Sequence, residues 1–170
     1  MVDINAAIVP GESSAGFRLG QKFDEVASLI KNLSEWTYAA KWSLSGAISS
    51  TPEWLRVPLA EVTGGERNGE LLCFGKGMVC LQFGAGGELY SISVEGGYSG
   101  LLWGEIKIGD ELSLVRKRCG LEYDRGDEMH YPIESSGVKG IAFYAEECSL
   151  EDEPNQIISV ISVHDWALDR

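Results

Sequence analysis

Two stretches of the chain carry the same pattern of apolar and polar positions. "GFRLGQKFDEVASLI" at 16–30 and "GEIKIGDELSLVRKRCG" at 104–120 superpose when Gly20 is laid on Gly109. Phe17 then falls on Ile106, Leu19 on Ile108, Phe23 on Leu112 and Val26 on Val115. Each stretch begins with a short alternating segment, turns at the glycine and enters a helical period. In the first, Phe23, Val26, Ile30 and Leu33 recur at spacings of three and four, with Lys22, Glu25 and Lys31 largely off the stripe, which predicts a helix bearing all four. In the second, Leu112, Val115 and Cys119 form the stripe, and Asp110 and Glu111 sit at the N-terminal turn, where the helix dipole favours acids.

The match resumes downstream. "GMVCLQF" (77–83) aligns with "GVKGIAF" (137–143), and "LYSISV" (89–94) with "ISVISV" (158–163). Strand alternation puts Val79, Leu81 and Phe83 on one face, with Lys139, Ile141 and Phe143 as their counterparts, and Ile92 and Val94 match Ile161 and Val163. Upstream of each pair lies a further candidate strand, "ELLCF" (70–74) and "EMHYPI" (128–133). The pattern therefore predicts an α+β fold: two tandem helix-strand-strand-strand repeats, about 8–96 and about 97–166, sharing one antiparallel sheet in a single domain with both helices on one face. The other face carries Gln82, Ser91, Ser93, Ala142 and Ser162, which suits either a solvated face or a docking surface.

The repeats differ where function is expected. The first holds an insertion at about 36–68 with three of the five tryptophans. "WTYAAKWSL" alternates Trp36, Tyr38, Ala40, Trp42 and Leu44 with polar or small residues, and "PEWLRVPLAEV" alternates Leu55, Val57 and Leu59 with Trp54 and Arg56. Both read as strands, the second weakened by Pro58. The aromatics either extend the core, as expected more for Trp36 and Trp42, or form a partner-binding patch, as expected more for Trp54 and Arg56. The second repeat closes its last hairpin with "YAEECSLEDEPNQ", crowding Glu146, Glu147, Glu151, Asp152 and Glu153. Such repulsion suits a solvated, mobile loop or an electrostatic hook for a basic partner.

Charge sharpens the second possibility. With 26 acidic against 14 basic residues the net charge is -12, which opposes nucleic acid and anionic membranes and attracts a basic protein. The segment "MVDINAAIVPGESS" has neither a basic n-region nor a long apolar core, and no apolar run nears bilayer length, so the cytoplasm is the expected compartment. Cys73, Cys80, Cys119 and Cys148 form no CxxC pair, although Cys73 and Cys80 flank a turn and suit opposite positions across a hairpin. Reduced, buried thiols are expected there.

Catalytic motifs are sparse. His130 and His164 are the only histidines, and no nucleophile motif accompanies either, His164-Asp165 included. "GAGG" (84–87) lacks the Lys-Ser/Thr ending of a phosphate loop, Asn32-Leu33-Ser34 is a glycosylation triplet only in a secreted chain, and no metal-ligand spacing stands out. No cofactor or metal is expected, and an enzyme is the minority reading.

The duplicated "F-R-L-G-Q-K-F-D-E-V" and "I-K-I-G-D-E-L-S-L-V", each followed by three strands, resembles the tandem-repeat fold of β-lactamase inhibitor proteins, to which small outer-membrane assembly lipoprotein domains are related. In that family the concave sheet face and its loops grip the target enzyme. The resemblance implies that the polar sheet face and flanking loops are the binding surface here. The expected function is a non-enzymatic protein-binding scaffold, an inhibitor or a bacterial immunity protein. Its candidate partner-binding residues are Trp36, Tyr38, Trp42, Trp54, Arg56, Gln82, Ser91, Ser93, Glu146, Glu147, Glu151 and Asp152. Two alternatives stand beside it. One is a small-molecule-binding or hydrolytic domain with a pocket between sheet and insertion, using His130, Asp127 and Glu128; the other is a homo-oligomeric structural component.

Overall fold

The computed structural model describes residues 1–38 and 43–169. Nine strands build one mixed sheet: β3 (Leu33–Glu35), β4 (Trp54–Pro58), β5 (Glu70–Phe74), β6 (Val79–Phe83), β7 (Leu89–Val94), β8 (Leu121–Asp124), β9 (Met129–Pro132), β10 (Ile141–Tyr144) and β11 (Val160–His164). Their spatial order is β3-β4-β5-β6-β7-β11-β10-β9-β8, antiparallel throughout except for the parallel β3–β4 pair. A separate small ribbon pairs β1 (Ser13–Ser14) with β2 (Phe17–Arg18). The described residues also hold four helices: α1 (Phe23–Ser28), α2 (Leu44–Ser50), α3 (Leu59–Thr63) and α4 (Leu112–Cys119). The fold is α+β.

The alternation read from the sequence sets the core. Val79, Leu81, Phe83, Ile92, Val94, Ile141, Phe143, Ile161 and Val163 are all buried, and they pack against Val26 of α1 and Leu112, Val115 and Cys119 of α4. We call this side the helix face. Burying each such side chain contributes roughly 1.5–3 kcal/mol.

Three local readings change. The α1 helix ends at Ser28, short of Ile30 and Leu33. The Ser28 hydroxyl donates to the Glu25 carbonyl (2.7 Å), an interaction that competes with helix continuation, and Leu33 is drawn into β3 beside Trp54. Leu44, expected to close a strand, instead opens α2: the Ser43 hydroxyl accepts from the Gly46 N–H (3.2 Å) as an N-cap, and Leu44, Ala47 and Ile48 form a helical stripe. Leu59 opens α3 rather than extending β4, because Pro58 ends the strand and lies at the helix N-terminus. The pattern had also shown no sign of β8, whose four residues lie at the sheet edge.

The α2 helix covers part of the opposite face. Trp36, Leu55 and Val57 form a second, smaller core there, with Leu44, Ala47, Ile48 and Leu71 packed on it. Polar residues fill the centre of this face without leaving it wet. Ser91 and Ser162 are buried, their hydroxyls lie 3.1 Å apart, and Ser93 donates to Ser162 at 3.3 Å. Cys73 and Cys80 stand opposite each other in the β5–β6 register as free thiols.

Candidate functional site

Beyond the serine row, the sheet side opposite α1 and α4 is open. Period-two alternation brings Glu122 and Asp124 (β8), Met129 and Tyr131 (β9), Ala142 and Tyr144 (β10), and Val160 and His164 (β11) to this side, because their strand neighbours point into the core. Met129, Tyr131, Tyr144 and Val160 are half-buried, and Trp166, just past β11, is 52% exposed. The result is an aromatic and aliphatic strip bordered by carboxylates. Tyr, Trp and Met are the residue types that dominate protein interfaces.

The strip is held rigid from below. The His164 imidazole stacks on Trp166 (ring centroids 4.4 Å, 25° between planes) and meets Tyr131 edge-on at 5.9 Å. Tyr90 lies 5.8 Å from Trp166 and donates its hydroxyl to Gln82 Oε1 (2.9 Å) while accepting from Arg67 (3.2 Å). Arg67 pairs in turn with Asp169. Tyr131 donates to Asp127 and Tyr144 to Glu147 (3.1 Å), so each ring is fixed by an acid at its rim. Burial, then Asp127, pushes the Tyr131 hydroxyl pKa well up, so it remains a donor at neutral pH. His164 is 5% exposed, its Nδ1 has no hydrogen-bond partner, and burial pulls its pKa below the usual imidazole value.

The residues singled out by sequence scatter. Gln82, Ser91 and Ser93 share this face, the first bonded to Tyr90 and the serines within the buried row. Glu146 and Glu147 are exposed at its border, and Glu151 pairs with Arg116 of α4 at 3.1 Å. Asp152 accepts from the Ser149 hydroxyl (2.8 Å). The acidic loop is anchored rather than loose: Gln156 is buried, its amide donates to the Cys148 and Ser149 carbonyls (both 3.0 Å), and its oxygen accepts from the Glu146 N–H (3.2 Å).

The insertion residues lie elsewhere. Trp36 is buried under α2, in line with the core expectation, and Tyr38 is 78% exposed, while Trp42 falls outside the described residues. Trp54 does not stand on the surface. It is 8% exposed on the helix face, edge-to-face with Phe17 (6.0 Å) and tilted against Phe74 (5.3 Å). The reason is register: Trp54 opposes Phe74, whose side faces the core. Arg56 crosses the Phe23 ring at 5.3 Å and bonds Glu70 through Nε (3.0 Å) and Nη2 (2.6 Å), with Nη1 on Glu35 (3.2 Å).

The trio His130, Asp127 and Glu128 does not converge. His130 is buried on the helix face against Tyr123 (4.9 Å), since it pairs with Phe143, whereas Asp127 is bonded to Tyr131 across the sheet. Both His130 nitrogens lack hydrogen-bond partners, and burial lowers its pKa.

Sequence reasoning missed Tyr131, Tyr144, Val160 and Trp166. Alternation through β10 and β11 could have found Tyr144 and Val160, but Tyr131 and Trp166 join the strip only through the pairing of β9 with β10 and the turn after β11. Among the described residues, no group of three or more His, Cys, Asp or Glu is placed to hold a metal, and no helix is long and apolar enough to cross a membrane. No family model, curated protein or solved structure matches the chain.

Proposed function

We propose that this chain is a non-enzymatic protein-binding scaffold of the inhibitor or immunity-protein kind, and that its partner is a basic protein docking on the open sheet face. The observation that carries this reading is the asymmetry of that face. Where Leu55, Val57 and Leu71 are apolar, α2 covers them, but the strip of Met129, Tyr131, Tyr144, Val160 and Trp166 is left half open and ringed by Glu122, Asp124, Asp127 and Glu147. Rigid aromatics lose little side-chain entropy on binding, and the acid rim steers a cation-rich partner under a net charge of -12.

The fold supports the same reading through a proposed duplication. Around the β7–β11 pair, β6, β5 and β4 lie on one side and β10, β9 and β8 on the other, with β3 added beyond β4 as a ninth strand, and α1 and α4 both lie on the helix face. Each half holds more strands than the three the sequence pattern predicts, but the mirrored strand order and the shared helix face support two tandem repeats, and a resemblance to β-lactamase inhibitor proteins stays part of the proposal.

The test compares capture from native-source lysate by the wild-type protein and by Tyr144→Ser, at low and high salt. The expected result is one stoichiometric basic partner, lost with Tyr144→Ser and weakened by salt, with unchanged thermal unfolding of the variant. A partner retained equally by both proteins would overturn docking on this face.

A further inference from the structure

At one end of the strip a groove of about 600 Å³ lies between β8, the β8–β9 turn and Trp166. Its walls combine three carboxylates, Glu122, Asp124 and Asp127, with the rings of Tyr131 and Trp166. The carboxylates are unequal. Asp124 is engaged by the Gly126 N–H (2.7 Å), and Asp127 by the Met129 N–H (3.2 Å) and Tyr131. The carboxylate of Glu122, exposed and directly opposite Tyr131 in the register, makes no hydrogen bond or ion pair with another described residue.

We propose that this groove seats an arginine side chain of the protein that docks on the open face. The proposal rests on the docking reading above and names the contact at its centre. A free carboxylate and an accessible indole lining one groove suit a guanidinium, which stacks on an aromatic ring and can present two N–H donors to one carboxylate at once. An ammonium is a more strongly hydrated point charge and gains less from stacking. Charge complementarity holds despite Arg125, which also lines the groove: three carboxylates outweigh it, and it is exposed, so its side chain is free to turn into solvent. The groove is also prearranged, because His164 supports Trp166 and Asp127 fixes Tyr131 before any partner arrives.

The probes are N-acetyl-Gly-Arg-Gly-amide and its lysine counterpart, titrated into isotopically labelled full-length protein and followed by nuclear magnetic resonance. The arginine peptide is expected to shift the Trp166 indole N–H and the amides of 122–131 saturably, with the lysine peptide about three- to five-fold weaker. Glu122→Gln should weaken the arginine peptide by a similar factor and leave remote amides unmoved. Equal affinity for the two peptides, or shifts spread evenly over the acidic loop at 146–153, would overturn the proposal. Arginine-selective binding in the groove combined with partner capture indifferent to Tyr144→Ser would uphold this site and overturn only the docking reading.

Discussion

At the scale of single residues, burial separates groups that look alike in the sequence. Trp54 and Trp166 each follow an acidic residue and precede an apolar one, yet Trp54 is core and Trp166 is half exposed. Trp54→Ala is therefore expected to cost about 3–5 kcal/mol of stability, read from the urea midpoint, because it empties the space between Phe17 and Phe74. Arg56→Ala should cost about 1 kcal/mol or less, since its ion pairs are partly exposed. The two histidines give the protein a pH dependence. Burial lowers both pKa values from the usual 6.5, so the unfolded chain takes up protons that the folded chain resists. Their contribution is complete above that value and is lost as pH falls below it. Urea midpoints should drop between about pH 7.5 and about pH 5.5, and His130→Phe should flatten that drop, because His130 is buried with neither nitrogen bonded.

At the scale of elements, local chemistry was legible where capping or alternation was strong and hidden where pairing decided. The strands β5, β6, β7 and β10 fall almost where alternation placed them. The α2 stripe of Leu44, Ala47 and Ile48, with Ser43 as its cap, was present in the sequence but lay beneath an equally good period of two through Trp36, Tyr38 and Leu44. The end of α1 was not legible, because Leu33 leaves the helical stripe only to pair with Trp54 in a parallel strand. The acidic loop shows the same limit. Repulsion among its glutamates argues for mobility, but one buried amide, Gln156, ties it down at three points. Gln156→Ala should cost about 1–3 kcal/mol by removing the three hydrogen bonds that a buried side chain makes to part-buried backbone groups. Hydrogen exchange should then speed up across 145–157 while the β6–β7 hairpin stays protected.

At the scale of the whole molecule, charge and topology act together. A net charge of -12 at neutral pH keeps copies of the chain apart, and this repulsion vanishes near the sequence pI of about 4.5. Light scattering should show self-association appearing as pH approaches that value and reversing on return to neutrality. Association persisting at neutral pH would instead favour a homo-oligomer. By itself the sequence determined the α+β class, the apolar inner face of the strands and the acidic balance, since each depends on residue type and spacing along the chain. The exposed aromatic strip, the burial of Trp54, the anchoring of the acidic loop and the groove beside Trp166 were decided only in the tertiary structure. Each arises where strands become neighbours in the sheet: Tyr131 meets His164 across β10, and Glu122 meets Tyr131 only through the β8–β9 register. A period of two tells which residues share a face, but only strand order tells which face a helix covers.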